Sequence, residues 1–105
     1  MIVTVFRSRL NPETQDEYGA VAQHMSELAR TIPGYVSHKG FSAADGERVT
    51  IVEFETEDAL HQWRIHPDHA KAKRQGIESF FSEYKFQICA VIKSRGWAAK
   101  AKGPQ

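Results

Sequence analysis

An α+β fold of four strands and two main helices follows from three features of this 105-residue sequence. Residues 2–10 and 84–92 are rich in β-branched and aromatic side chains in alternation, the pattern of strands. Apolar residues after Asn11-Pro12 recur at helical spacing, and Asp45-Gly46 separates two extended runs as a hairpin turn does.

Taken in order, residues 2–10 put Val3, Val5, Arg7 and Arg9 on one face of the first strand and Phe6 and Leu10 on the other. Asn11-Pro12-Glu13 then offers an N-cap, a proline at the first helical position and an early acid. Val21, Met25, Leu28 and Ile32 continue a helix of about five turns, which Pro33-Gly34 stops. Tyr35–Ala43 and Glu47–Glu55 pair as a hairpin. Thr56 with Asp58 starts a second helix, whose apolar side is Ala59, Leu60 and Trp63 and which Pro67 breaks. His69–Gln75 is expected to form a further short helix, with Gly76 as a left-handed cap. An apolar turn holding Ile77, Phe80 and Phe81 leads to the last strand, with Phe86, Ile88, Ala90 and Ile92 on one face and Cys89 and Val91 on the other.

This β-α-β-β-α-β order is that of a ferredoxin-like protomer, a four-stranded antiparallel sheet with its helices on one face. The first and last strands carry apolar side chains on both faces, so the face without helices needs a cover. A second subunit supplies it, and the expected assembly is a homodimer whose two sheets face each other around a closed or nearly closed barrel, a dimeric α+β barrel.

The chain reads as one domain over residues 1–93, followed by a basic, flexible tail at 94–105. Net charge is +1, unevenly spread: residues 1–92 hold 10 basic and 13 acidic groups, residues 93–105 four basic and none acidic. A nucleic-acid partner would want a basic face on the body, and none is visible. No apolar run approaches a membrane span, and Met1 leads into a strand rather than a signal peptide, so a cytoplasmic protein without membrane contact is expected. Cys89 is the one cysteine and is read as a buried small hydrophobe. A glycine-rich phosphate loop, a dinucleotide fingerprint and a Gly-x-Ser-x-Gly elbow are all missing, which removes support for phosphoryl transfer and nicotinamide chemistry.

Chemistry concentrates in Trp63-Arg64-Ile65-His66-Pro67-Asp68-His69, where an indole, a guanidinium and two imidazoles meet at a helix break. Trp63 is either a core anchor or the wall of a pocket, two compatible roles. His66 precedes a proline and either caps the next helix or joins His69 in one site, where either imidazole could act as a base near neutral pH. As a metal pair they lack further ligands, and no metal is expected. Arg7 is expected to pair with Glu53 or Glu55. His38, Tyr35, Tyr84 and Phe81 are candidates for the cavity lining, while His24 and His61 read as solvated; the run Lys71, Lys73, Arg74 with Arg64 could attract an acidic ligand, though on a short helix such a run is more often a solvated face.

Val52-Glu53-Phe54-Glu55, Ala59-Leu60, Trp63-Arg64, His66-Pro67-Asp68-His69, Gly76 and the strand from Tyr84 to Val91 resemble the antibiotic biosynthesis monooxygenase family over about residues 1–93. The resemblance implies an intimate homodimer with a pocket between each sheet and its helices. Family members oxidise aromatic polyketides or quinols with dioxygen and no prosthetic group, and another branch degrades haem. The haem branch uses a first-strand asparagine and a histidine ten residues after the tryptophan. Arg7 and Lys73 stand at those two positions, so haem degradation is not expected, although Trp63 matches.

By this resemblance the chain is a cofactor-independent monooxygenase acting on a small aromatic or quinol-type substrate. His66 or His69 would be the base, Trp63 would hold the ring, and Tyr84 or Arg7 would stabilise developing negative charge, with His38 and Phe81 completing the binding surface. The alternative is a non-catalytic dimer that binds a small aromatic or quinone-like ligand, a carrier or stress-related accessory protein. An unpaired base with a near-neutral pKa inside the pocket would favour the enzyme.

Overall fold

The computed structural model describes residues 1–99. Its elements are β1 (Ile2–Leu10), a single 3₁₀ turn (Pro12–Thr14), α1 (Gln15–Arg30), β2 (Tyr35–Ser42), β3 (Arg48–Phe54), α2 (Glu57–Ile65), α3 (Pro67–Gln75), a π-helical turn (Gly76–Phe80) and β4 (Phe81–Ala90). The sheet is antiparallel throughout in the order β2-β3-β1-β4, the expected ferredoxin-like arrangement. Residues 93–99 form neither helix nor strand, and the rest of the expected tail, including Lys100 and Lys102, lies outside the described residues.

Register decides what faces the helices. Thr4 lies opposite Val52, Ile2 opposite Phe54, and Phe6 opposite both Thr50 and Phe86, so these side chains share one face. Against it pack Met25 and Ala29 of α1 and Ala59, Leu60 and Trp63 of α2, with Phe54 and Leu60 almost wholly excluded from solvent. The buried Thr4 hydroxyl donates to the Val52 carbonyl at 3.3 Å and is thereby satisfied within this layer. The opposite face carries Val3, Val5, Val49 and Ile51, all half-buried on a surface that no helix covers.

Local signals account for most boundaries. Thr56 accepts the Ala59 amide at 3.1 Å and caps α2. Gly46 turns the hairpin at φ +90°, a conformation that glycine adopts without penalty. Three expectations need correction. Asn11 does not cap its own helix: its side-chain amide donates to the Ser79 carbonyl at 2.9 Å, and its backbone N–H to the Phe80 carbonyl, tying the end of β1 to the π-helical turn before β4. Gly76 is not left-handed; it is helical at φ −59°, and a Cβ there would lie 2.5 Å from the Phe81 ring, so close approach and not φ requires the glycine. Cys89 lies opposite Val3 and is exposed, because β4 is an edge strand and this face of it carries no helix.

Candidate functional site

The gap between the sheet and the three helices is a cavity of about 310 Å³. Thr4, Met25, Val52, Trp63 and Phe80 form its buried floor, Phe6, Phe81 and Phe86 its aromatic walls, and the exposed Lys73, Ile77 and Tyr84 mark its opening. This size and a mostly apolar lining with few polar groups suit a small flat molecule.

Trp63 is both core anchor and cavity wall. Its indole Nε1–H donates to the Met25 carbonyl at 3.2 Å, which bolts α2 to α1, and its ring packs against Phe54 at 5.7 Å. Two imidazoles approach the same indole. His38 from β2 stands edge-on at 6.2 Å, and His69 from α3 stands edge-on at 4.5 Å. His69 Nδ1 is shut off from solvent and has no hydrogen-bond partner. Burial lowers the His69 pKa to about 4, with Arg64, Lys73 and His66 adding positive charge in the same direction. The ring is therefore neutral at pH 7, a free polar group at an apolar wall. His38 is lowered as well, chiefly by burial.

The helix break places His69. His66 holds extended geometry (ψ 136°) before Pro67, and its Nδ1 accepts the Asp68 amide at 3.1 Å, so it caps α3. Pro67 at the first helical position then starts a helix in which His69, Ala72 and Lys73 face the cavity. The Asp68 carboxylate bonds His24 Nε2 at 2.9 Å and joins α3 to α1, so His24 is engaged rather than simply solvated. That contact is the main reason the Asp68 pKa is lowered.

Of the residues singled out by the sequence, Trp63, His69, His38, Phe81 and Tyr84 line the cavity together. His66 does not line it, being spent on the helix cap. Arg7 also lies elsewhere. It pairs with Glu47 through Nε at 3.1 Å and Nη2 at 2.9 Å, on the face away from the helices. Glu53 is not its partner, because Arg7 lies opposite Val49 and Glu53 opposite Val3, four residues or ~13 Å along the strand. Glu53 instead accepts from the Ser37 hydroxyl at 2.6 Å. Tyr35 packs edge-on against Phe54 within the core.

Two basic residues from the run Lys71, Lys73, Arg74 with Arg64 are part of the lining. Arg64 follows Trp63 and lays its guanidinium over the Phe86 ring, 4.9 Å from the centroid. Lys73 sits one helical turn after His69, and that spacing of four was the available signal. The condition set for an enzyme, an unpaired base of near-neutral pKa in the pocket, is not met by His69: its Nδ1 is unpartnered, but its pKa is lowered to about 4. Among the described residues no helix is long and apolar enough to cross a membrane, and no three His, Cys, Asp or Glu side chains are grouped to hold a metal ion.

The sequence profile described as antibiotic biosynthesis monooxygenase matches residues 1–75. YqjZ, an uncharacterised protein of Bacillus subtilis, is 30% identical over 91 residues, 87% of this chain and 80% of that protein. Among solved structures, Rv0793 from Mycobacterium tuberculosis superposes with a TM-score of 0.80 at 20% identity, over 90% of this chain and 98% of that one. SnoaB from Streptomyces nogalater, described as a cofactor-independent oxygenase, superposes with a TM-score of 0.75 at 15% identity, over 89% and 94% of the two chains. At these identities the structural likeness is one of fold.

Proposed function

The chain belongs to the antibiotic biosynthesis monooxygenase family, and from that premise we propose that it oxidises a small aromatic or quinol-type substrate with dioxygen, without a prosthetic group. The observation that carries the reading is His69: a neutral imidazole with an unpartnered, water-excluded Nδ1, set against an indole in an aromatic cavity. Nδ1 is closed to water even though the cavity is open, so a ligand hydroxyl would meet the ring at Nε2, which accepts a hydrogen bond in the neutral tautomer that carries its proton on Nδ1.

In this reading Trp63 and the phenylalanine walls hold the ring of the substrate, and Tyr84 stands at the opening. His69 meets the ionising hydroxyl. An imidazole of pKa about 4 is a weak base in the empty cavity, and most of that weakness is desolvation, with Arg64 and Lys73 contributing. The same two cations favour the phenolate, so proton loss by the substrate is assisted from the product side. The electron-rich anion then reduces dioxygen itself. One oxygen atom ends as a carbonyl on the ring carbon, and the other leaves as water with two hydrogens of the substrate, one from the ionised hydroxyl and one from that carbon, so the substrate supplies all the electrons. His66 supports this arrangement indirectly by starting α3 at the right residue.

The homodimer belongs to the same proposal. The half-buried Val3, Val5, Val49 and Ile51 on the helix-free face favour a second copy as the cover. The function is tested by oxygen consumption of metal-free protein with a panel of anthrones, naphthols and hydroquinones. Uptake that disappears in His69→Gln and persists in His66→Asn, a residue able to replace the cap, supports it. No uptake with any compound would leave a ligand-binding dimer instead.

A further inference from the structure

Arg64 and Lys73 are the charged side chains among the described residues that line the cavity, and no carboxylate lines it. Neither takes part in any of the ion pairs found among those residues. Solvated cations on a short helix are ordinary, and Lys71 and Arg74 on α3 are of that kind, exposed and outside the cavity lining. Lys73 differs because it shares the face of His69, one turn away. Arg64 differs more. It is half-buried, its guanidinium carbon lies 4.9 Å from the centre of the Phe86 ring, and among the described residues its side chain makes no hydrogen bond or ion pair, so its N–H donors are available to a ligand. The two cations and the His69 ring are thus held together beside an aromatic cavity with no counter-charge from the protein, an arrangement that a bound anion relieves.

We propose that the site takes planar aromatic carboxylates, with the ring in the aromatic cavity and the carboxylate on Arg64, assisted by Lys73. The proposal rests on the aromatic-substrate reading above and adds the charge of the substrate. Arg64 is the specificity-determining residue, since its fork matches a carboxylate in two parallel hydrogen bonds. Lys73, at the exposed edge, contributes mainly attraction at a distance that salt weakens. The carboxylate is distinct from the hydroxyl that His69 meets, so a hydroxyaryl acid satisfies both ends of the site.

The test is calorimetric titration of the full chain, under anaerobic conditions, with a hydroxynaphthoic acid and with its neutral carboxamide. The acid should bind at least about tenfold more tightly than the amide, ~1.4 kcal/mol, and this preference should shrink as salt is raised. In the Arg64→Gln, Lys73→Met double variant the preference should fall below about threefold, the residue expected of ordinary surface charge. The acid-to-amide ratio is the readout rather than either affinity alone, and an unchanged circular dichroism spectrum and thermal midpoint report an intact fold. Arg64→Lys keeps the charge and loses the fork, and should retain part of the preference. Equal affinity for acid and amide, a preference that survives the double variant, or failure of both probes to bind at millimolar concentration would each overturn the proposal. Preference for the acid with no oxygen uptake would sink the oxidation and keep the anion site, whereas uptake with a neutral hydroquinone and no acid preference would do the reverse.

Discussion

His69 touches Trp63 edge to face, their ring centres 4.5 Å apart at 66°, across the proline that ends one helix and starts the next. Such a contact stabilises by ~1 kcal/mol beyond the area it buries. Its larger consequence is positional. Trp63 is fixed by the Met25 carbonyl, so the imidazole that faces the cavity is referenced to the core rather than to a loop. Changes that loosen Trp63 therefore reach the chemistry.

That coupling predicts the outcome of Trp63→Phe. The variant loses the donor to Met25 and leaves a gap at the cavity floor, and it should be destabilised by ~1–3 kcal/mol. Urea denaturation should give a lower midpoint with an unchanged slope. Oxygen uptake should fall with it, because His69 loses the surface it packs on.

The depressed pKa of His69 makes stability depend on pH in a defined window. The unfolded chain takes up the proton with the ordinary histidine pKa near 6.5, the folded chain only at about 4. Between these values the unfolded state holds more protons, so stability rises with pH and is lost as pH falls from 6.5 towards 4, by up to ~3 kcal/mol. His38, also depressed, acts in the same sense, while Asp45 and Asp68, with lowered carboxyl pKa values, act mainly below this window. Denaturation at a series of pH values should show a slope that flattens in His69→Gln. Parallel curves for the two proteins would contradict the buried neutral ring.

Gly76→Ala tests the close approach of α3's end to β4. Helix propensity alone would favour alanine by ~1 kcal/mol. The new Cβ would lie 2.5 Å from Cε2 and 3.0 Å from Cδ2 of Phe81, a ring itself wedged against Phe6 and Tyr18. Overpacking of this kind costs ~1–3 kcal/mol and should outweigh the propensity, giving a lower thermal midpoint and a reshaped cavity wall.

The uncovered sheet face predicts a charge-sensitive assembly. Ile51 lies at the middle of β3, opposite Val5, on that face. Ile51→Glu should shift the protein from dimer to monomer in sedimentation equilibrium, because an unpaired carboxylate would be buried between the sheets. A monomeric wild-type protein would contradict the proposed cover.

Much of this architecture was legible because its signals are local. Thr56 caps the helix that follows it, Asp45-Gly46 turns the hairpin, and Trp63 falls on the apolar stripe with Ala59 and Leu60. The misread residues are those whose partners come from distant chain. Asn11 has the chemistry of a cap, yet it is the carbonyl of Ser79 that takes its amide. Gly76 sits where a helix ends, and only the arrival of Phe81 explains it. Arg7 was matched to acids by strand identity, whereas the register that sets its partner is a tertiary property. The candidate site follows the same division. The histidine and tryptophan segment stood out by type and spacing, but which of its members faces the cavity depended on the cap formed by His66 and the turn phase of α3, and that phase also brings in Lys73.

The most direct test of the account is turnover under isotopically heavy dioxygen, with an anthrone substrate followed by mass spectrometry of the product. One heavy oxygen should appear in the new carbonyl of the product and the other in water, with the reaction abolished in His69→Gln and retained in His66→Asn. A product free of heavy oxygen, or equal turnover by His69→Gln, would contradict it.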